Sequence, residues 1–268
     1  MIRLGLIGDP VAHSRSPGIV RGLLEAKGID GAYDLLPTRR EDLVERLDQV
    51  REAGYHGLNV TSPLKQEVVG LLDDLTDVAG RLGAVNTIRF EGNGTIGTNT
   101  DVEGFSRSLD DHPLLVDRFT AAVLGTGGAA RAAVAALLGY DQLDRLTVIS
   151  RRQDRAEALG RIWSDPRLQC FGSDDANEGE HPLATADLIV NATPIGMAGT
   201  EGMPIAPTIR LRCRLLYDMI YDPDPTLLMQ RAVESGAETI GGHRMLEEQA
   251  AAAVRFWFEE PGSMTPDG

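Results

Sequence analysis

The chain has 268 residues, 42% of them hydrophobic and 25% charged, enough material for two ordinary domains with buried cores. A net charge of -14 excludes the basic stripe that a nucleic-acid or anionic-membrane surface requires, so an anionic ligand must be held by a local positive site. Cys170 and Cys213 are too few and too far apart for a disulfide framework, and the five histidines show no zinc spacing, so no metal is expected.

Strand-like apolar runs alternate with helical patterns almost throughout, which predicts a parallel, doubly wound α/β architecture. MIRLGLIGDP enters an apolar strand directly, with no leader pattern, and no apolar run reaches membrane-spanning length; the expected compartment is the cytoplasm. SPGIVRGLLEAKGI reads as a helix with Pro17 in its first turn and Gly28 closing it. AYDLLPT is a second strand, REDLVERLDQVREAG an amphipathic helix and HGLNVT a third strand. LKQEVVGLLD reads as another helix, and AVNTIRFEGNGTIGTN as a hairpin turning at Asn93-Gly94. Residues 101–117 form a helical connector into a second unit.

TAAVLGTGGAARAAVAALLGY opens that unit as a strand, a glycine turn and an Ala-rich helix. LTVISRR, ADLIVNAT and LLYDMIY are its later strands, PTLLMQRAVESGA a helix, and EEQAAAAVRFWFEE the last helix. The tail PGSMTPDG reads as frayed.

Gly125, Thr126, Gly127, Gly128, Ala129 and Ala130 fit G-x-G-x-x-A between a strand and a helix. Gly125 makes the tight turn, Gly127 lets backbone approach a pyrophosphate, and Ala130 lets the helix pack close to the sheet. The free N–H groups at the helix start then bind phosphate. A carboxylate at the end of the next strand would bind the ribose 2′-OH of NAD. Here that strand ends in Ser150-Arg151-Arg152, and two guanidiniums suit the 2′-phosphate of NADP.

A carbonyl reduced by hydride needs a proton donor at its oxygen. The polar candidates near strand ends are Lys65, His13 and Asp101. Taken singly, each is more simply a solvated side chain.

AHSRSP, NVTSPLK, GAVNT, NTDVEGF, VLGTGGAARA, NATPIGM and MLEEQ occur in this order. The set resembles the shikimate dehydrogenase family, its quinate/shikimate group included, over essentially the whole chain before the tail. The resemblance implies an N-terminal α/β substrate domain over residues 1–103, completed by a C-terminal helix over 243–260. It implies a Rossmann NADP-binding domain over 104–242, with a flexible tail at 261–268. The implied reaction is the NADP-dependent, reversible reduction of 3-dehydroshikimate to shikimate in aromatic amino-acid biosynthesis, by a monomer or homodimer. Quinate or an aminoshikimate-type substrate within the family, or a non-catalytic nucleotide-binding regulatory protein on the same scaffold, are the alternatives.

Residue by residue, the resemblance assigns Lys65 and Asp101 to acid–base catalysis. Ser14 and Ser16 fall at the substrate carboxylate, although Ser-Pro also reads as a helix cap. Thr61 and Asn86 join Asp101 at the ring hydroxyls, with Asn59, Tyr221 and Gln249 as further substrate contacts. Gly125 to Ala129 match the pyrophosphate loop. Ser150, Arg151, Arg152 and Arg155 surround the adenosine phosphate, and Thr193, Met219 and Gly242 lie near the nicotinamide. Asp77 occupies a position sometimes beside the cofactor, and reads equally well as the cap of the VAGRL helix. The chain departs from the family pattern at Val20-Arg21, at Ser150-Arg151-Arg152 and at His243-Arg244.

Overall fold

A computed structural model describes residues 1–110, 112–172 and 181–259. The chain divides into two compact units, Met1–Gly104 with the C-terminal segment from Leu246, and Phe105–Met245.

The first unit contains β1 (Ile2–Gly8), α1 (Ser16–Ala26), β2 (Gly31–Pro37), α2 (Leu43–Glu52), β3 (Gly57–Val60), β4 (Asp74–Leu75), α3 (Asp77–Leu82), β5 (Thr87–Glu91) and β6 (Gly94–Thr98). The six strands form one sheet in the order β2-β1-β3-β5-β6-β4. β1 is parallel to β2 and β3, but β5 is antiparallel to both β3 and β6. The sheet is therefore mixed rather than wholly parallel, because a two-residue turn between β5 and β6 can only reverse the chain. Glu91 pairs with Gly94, so that turn is Gly92-Asn93, one residue earlier than predicted, with Gly92 at φ +56°. The segment predicted as the helix LKQEVVGLLD holds only a 3-10 turn at Glu67–Leu71. Its adjacent β-branched Val68 and Val69, followed by Gly70, disfavour an α-helix.

Residues spaced along helix faces cover this sheet. Val20 and Leu24 of α1 pack with Leu4, Leu6 and Tyr33, while Leu43, Leu47 and Val50 of α2 pack with Ile7, Leu58 and Ile88. Arg21, one of the departures from the family pattern, is exposed.

The connector α4 (Asp101–Leu109) leads into the second unit. There follow β7 (Phe119–Leu124), α5 (Gly128–Leu138), β8 (Leu143–Ser150), α6 (Gln153–Gly160), β9 (Leu168–Gly172), α7 (Pro182–Thr185), β10 (Leu188–Asn191), β11 (Leu215–Asp218), α8 (Leu227–Glu234) and β12 (Glu238–Ile240). All six strands are parallel, in the order β12-β11-β10-β7-β8-β9. That order reverses between β7 and β10, which is the switch point where doubly wound sheets bind ligands at their strand C-termini. β7, β10 and β11 are near-continuous apolar runs because helices cover both faces of a parallel sheet.

The last helix, α9, spans His243–Phe258; residue 260 and the tail 261–268 lie outside the described residues. Its C-terminal part packs within the first unit. Trp257 Nε1 donates to the Ile88 carbonyl at 2.9 Å, and an Arg89 guanidinium nitrogen donates to the Phe256 carbonyl at 2.6 Å. Among the described residues no helix is long and apolar enough to cross a membrane, and no group of three or more His, Cys, Asp and Glu side chains could hold a metal ion.

Candidate active site

The mixed sheet explains where polar groups gather in the first unit. β1, β3 and β6 end at one edge, and β5, running the other way, begins there. Val60 N–H donates to the Asn86 carbonyl at 2.8 Å and Asn86 N–H to the Thr98 carbonyl at 3.1 Å, which ties these ends together. Thr61 follows β3, Asn86 precedes β5, and Asp101 follows β6 as the first residue of α4. A carboxylate there meets the helix's unsatisfied N–H groups and the positive end of its dipole.

Lys65 sits on the turn after β3, where its carbonyl accepts the Val85 N–H at 2.7 Å. Its Nζ donates to Asp101 Oδ2 at 2.6 Å, with side-chain exposures of 16% and 7%. Few ion pairs are this withdrawn from water, and removing one partner would leave a shielded charge without its counterion. Asn86 Nδ2 donates to the other carboxylate oxygen, Asp101 Oδ1, at 2.8 Å, so both oxygens are engaged. Asn86 Oδ1 accepts from Thr100 N at 2.7 Å and from Thr87 Oγ1 at 3.0 Å, which fixes the amide's orientation. Gln249 Oε1 stands 3.5 Å from Asn86 Nδ2.

Asn59 is buried at the end of β3. Its Nδ2 donates to the Asn86 carbonyl at 3.2 Å and to Thr87 Oγ1 at 3.1 Å, and its Oδ1 accepts from Tyr33 at 2.7 Å. Thr61 N–H donates to the Ile7 carbonyl at 2.9 Å, which sets it beside the end of β1. Ser14 Oγ accepts the Ser16 N–H at 3.2 Å at the start of α1. Burial raises the Tyr33 pKa, so this phenol stays protonated. The structure thus joins Lys65, Asp101, Asn86, Asn59 and Gln249 in one bonded cluster. Three of its links, Tyr33, Thr87 and Thr100, were missed from sequence; buried hydroxyls inside apolar strands and at a strand end were the available signal. His13 is exposed. Asp77 opens α3 as its first helical residue, and Thr76 is the N-cap.

In the second unit the glycine loop lies at the switch point. Gly125 has φ +111°, and a Cβ there would stand 3.0 Å from the Ala192 carbonyl and 3.3 Å from Thr193 Cγ2, so loop and Thr193 are neighbours. A Cβ on Gly127 would meet nothing within 4 Å, leaving open space over the start of the 11-residue helix α5. This is the room and the donor set that a pyrophosphate needs. Thr126, Gly128 and Ala129 complete the loop and the first turn.

Ser150 closes β8, and Arg151, Arg152 and Arg155 are exposed just beyond it. Ser150 Oγ accepts the Arg152 N–H at 3.3 Å. Arg152 also makes a two-bond contact with Asp154, at 3.1 and 2.6 Å. Those bonds hold the Asp154 carboxyl below the usual carboxylate range.

Thr193, Met219 and Gly242 are brought together by two buried residues that sequence reasoning missed. Asn191 Oδ1 accepts from Thr193 Oγ1 at 2.7 Å, the Asn191 carbonyl accepts the Met219 N–H at 3.0 Å, and Asn191 Nδ2 donates to Asp218 Oδ1 at 3.0 Å. Asp218 also accepts from Ile220 N at 3.1 Å and from Thr226 Oγ1 at 2.7 Å. Burial raises the Asp218 pKa despite these donors. A polar residue ending each of the apolar strands LIVN and LLYD was the readable sign. A Cβ on Gly242 would come within 2.2 Å of the Met219 carbonyl oxygen. Tyr221, in this same unit, packs against His243 with ring centroids 6.1 Å apart, and His243 Nε2 lies 3.7 Å from Asp224.

Comparison with known proteins gives this geometry its context. A family model described as the shikimate dehydrogenase substrate binding domain matches residues 6–88. The shikimate dehydrogenase (NADP(+)) of Salinibacter ruber is 39% identical over 94% of this chain and 90% of its own length. The crystal structure of shikimate 5-dehydrogenase from Thermus thermophilus, in complex with NADP(H) and shikimate, is 34% identical and superposes with a TM-score of 0.84 over 96% of this chain and 94% of that one. A quinate dehydrogenase from Corynebacterium glutamicum in complex with NAD is 32% identical, with a TM-score of 0.82 over 96% and 93%. Identity of this order along nearly the full length of both partners leaves one assignment: the chain belongs to the shikimate dehydrogenase family.

Proposed function

We propose that this protein is an NADP-dependent shikimate dehydrogenase, reversibly reducing 3-dehydroshikimate to shikimate in aromatic amino-acid biosynthesis. The observation that carries the reading is the Lys65–Asp101 pair at 2.6 Å, aimed and backed by Asn86. The first unit serves as the substrate domain and the second as the cofactor domain. When bound, NADP supplies or takes up the hydride at its nicotinamide. The Gly125–Ala129 loop holds its pyrophosphate, and Ser150, Arg151, Arg152 and Arg155 hold its 2′-phosphate. Thr193, Met219 and Gly242 border the nicotinamide.

On the substrate side, Ser14 and Ser16 bind the carboxylate, Thr61, Asn86 and Asp101 take the ring hydroxyls, and Asn59, Tyr221 and Gln249 are further substrate contacts. The Lys65 ammonium donates a hydrogen bond to the ketone oxygen and gives up its proton as that oxygen gains charge. Asp101 holds the lysine in place. In the oxidative direction the same nitrogen takes the hydroxyl proton.

One observation favours a second reading within the family. Arg152 is held by Asp154, and a guanidinium so engaged is less available to a 2′-phosphate, which would relax the cofactor preference towards NAD. Initial rates by nicotinamide absorbance decide, crossing shikimate and quinate with NADP and NAD. The expected result is turnover confined to shikimate with NADP. Comparable rates with quinate or NAD would move the protein to the broader quinate/shikimate group, and no turnover with any pair would remove the enzymatic reading.

A further inference from the structure

We propose that Asn191 is a positioning residue for the cofactor. It commits the proton of the Thr193 hydroxyl, so that Thr193 meets the nicotinamide carboxamide only as a hydrogen-bond acceptor and seats it by its N–H2 group. The inference rests on the reading of Thr193 as a neighbour of the nicotinamide.

Asn191 ends β10 and is 0% exposed, on a strand flanked by β7 and β11. A side-chain amide buried there is unfavourable unless it is bonded, and both ends of this one are. Oδ1 accepts the Thr193 backbone N–H at 3.1 Å and the Thr193 hydroxyl at 2.7 Å. Nδ2 donates to Asp218 Oδ1 at 3.0 Å and lies 3.5 Å from the Ile195 carbonyl.

Two partners that cannot exchange roles decide which way the amide faces. A backbone N–H only donates, so the atom facing it is the amide oxygen, and an ionised carboxylate only accepts, so the atom facing Asp218 is the nitrogen. Asp218 is itself held by the Ile220 N–H at 3.1 Å and the Thr226 hydroxyl at 2.7 Å, so the anchor is fixed as well.

Thr193 is half-buried, and a Cβ on Gly125 of the glycine loop would stand 3.3 Å from its Cγ2. Its hydroxyl has a single proton and two lone pairs. The proton goes to Asn191 Oδ1, because a carbonyl oxygen only accepts, and one lone pair takes the Ile195 N–H at 3.3 Å. What remains for a ligand is a lone pair. A carboxamide carries an oxygen and an N–H2 group on one carbon, and a freely rotating hydroxyl could serve either. An acceptor fixed in advance serves only the N–H2, so the carboxamide is turned one way and less ordering remains to be done on binding.

The test measures binding, by isothermal titration calorimetry, of NADP and of its acetylpyridine analogue, which keeps the carbonyl and carries a methyl group in place of the N–H2. The full chain is compared with Thr193→Val, Asn191→Ala and the double variant. The wild type should prefer NADP to the analogue by about tenfold, the size of one hydrogen bond. Thr193→Val and Asn191→Ala should each bring that preference below about threefold, the second because the released hydroxyl can donate to the carbonyl that both nucleotides share. Adding Asn191→Ala to Thr193→Val should change the preference no further, since both act through one hydroxyl. A purely structural asparagine would weaken both nucleotides alike and leave the preference at its wild-type value, which overturns the proposal. If Thr193→Val leaves NADP binding unchanged, the reading of Thr193 at the nicotinamide fails and the inference falls with it. If it weakens both nucleotides equally, that reading stands and the carboxamide contact is overturned. Should Asn191→Ala not fold, Asn191→Ala combined with Asp218→Asn, which leaves no buried carboxylate short of a donor, is read in the same way.

Discussion

Lys65 and Asp101 are 36 residues apart in sequence, yet the lysine ammonium lies 2.6 Å from one oxygen of the aspartate, whose other oxygen is held by Asn86. The pair joins the turn after β3 to the first residue of α4, and neither side chain could be aimed by its own element alone. Asp101→Asn keeps the shape and removes the counter-charge. Turnover of shikimate should fall by at least about a hundredfold, with KM within about threefold, as expected for a group acting in proton transfer. Lys65→Ala should fall further while NADP binding, followed by fluorescence, stays at the wild-type value. Near-normal kcat in either variant would remove the acid–base role.

The exposed Arg152–Asp154 contact makes a prediction about cofactor choice. Asp154→Asn releases the guanidinium, and NADP should bind about threefold more tightly while NAD is unchanged, a modest effect because exposed pairs are weak. Arg152→Ala should weaken NADP by about tenfold and again spare NAD. Fluorescence titration of both nucleotides measures this directly. Equal losses for the two would mean that the arginine does not read the 2′-phosphate.

Asp218 predicts a pH dependence of stability. Its folded-state pKa is raised by burial, so the native protein binds this proton more tightly than the unfolded chain. Stability from this group is therefore present below the unfolded carboxylate range and is lost as pH rises through the raised folded value, by at most about 1.4 kcal/mol per pH unit. Asp218→Asn, which can still accept from Asn191 and Ile220, should lack that slope. Urea unfolding midpoints from acidic to neutral pH should show the wild type losing ground to the variant as pH increases. Parallel pH profiles would show that the carboxylate is not strained by its burial.

Gly242→Ala tests the close approach to Met219. A Cβ would come within 2.2 Å of the Met219 carbonyl oxygen, and backbone on both sides must move to admit it. Overpacking of this kind costs about 1–3 kcal/mol. The melting temperature should drop by several degrees, and hydride transfer should slow more than NADP binding weakens. A variant with native stability and turnover would show that this turn has room to spare.

How far the sequence reaches is clearest at the two polar edges. The α/β class and the second unit's parallel strands were legible because buried strands must be apolar throughout and helices must be amphipathic. The glycine loop was legible because the positive φ at Gly125 admits few other residues. The site residues came from short polar blocks whose residue types no folding rule requires at strand ends.

Other features depend on contacts that do not exist until the chain has folded. The mixed sheet follows from the short turn at Gly92-Asn93, and only that reversal brings Asn86 to the same edge as Thr61 and Asp101. Tyr33, Thr87, Asn191 and Asp218 look in sequence like ordinary members of strands. They become links in hydrogen-bonded paths only when β2 lies beside β1 and β10 beside β11, because a hydrogen bond is set by distance and direction in space and composition carries neither. The sequence by itself determined which chemistry the chain carries. Tertiary packing decided how those groups are aimed.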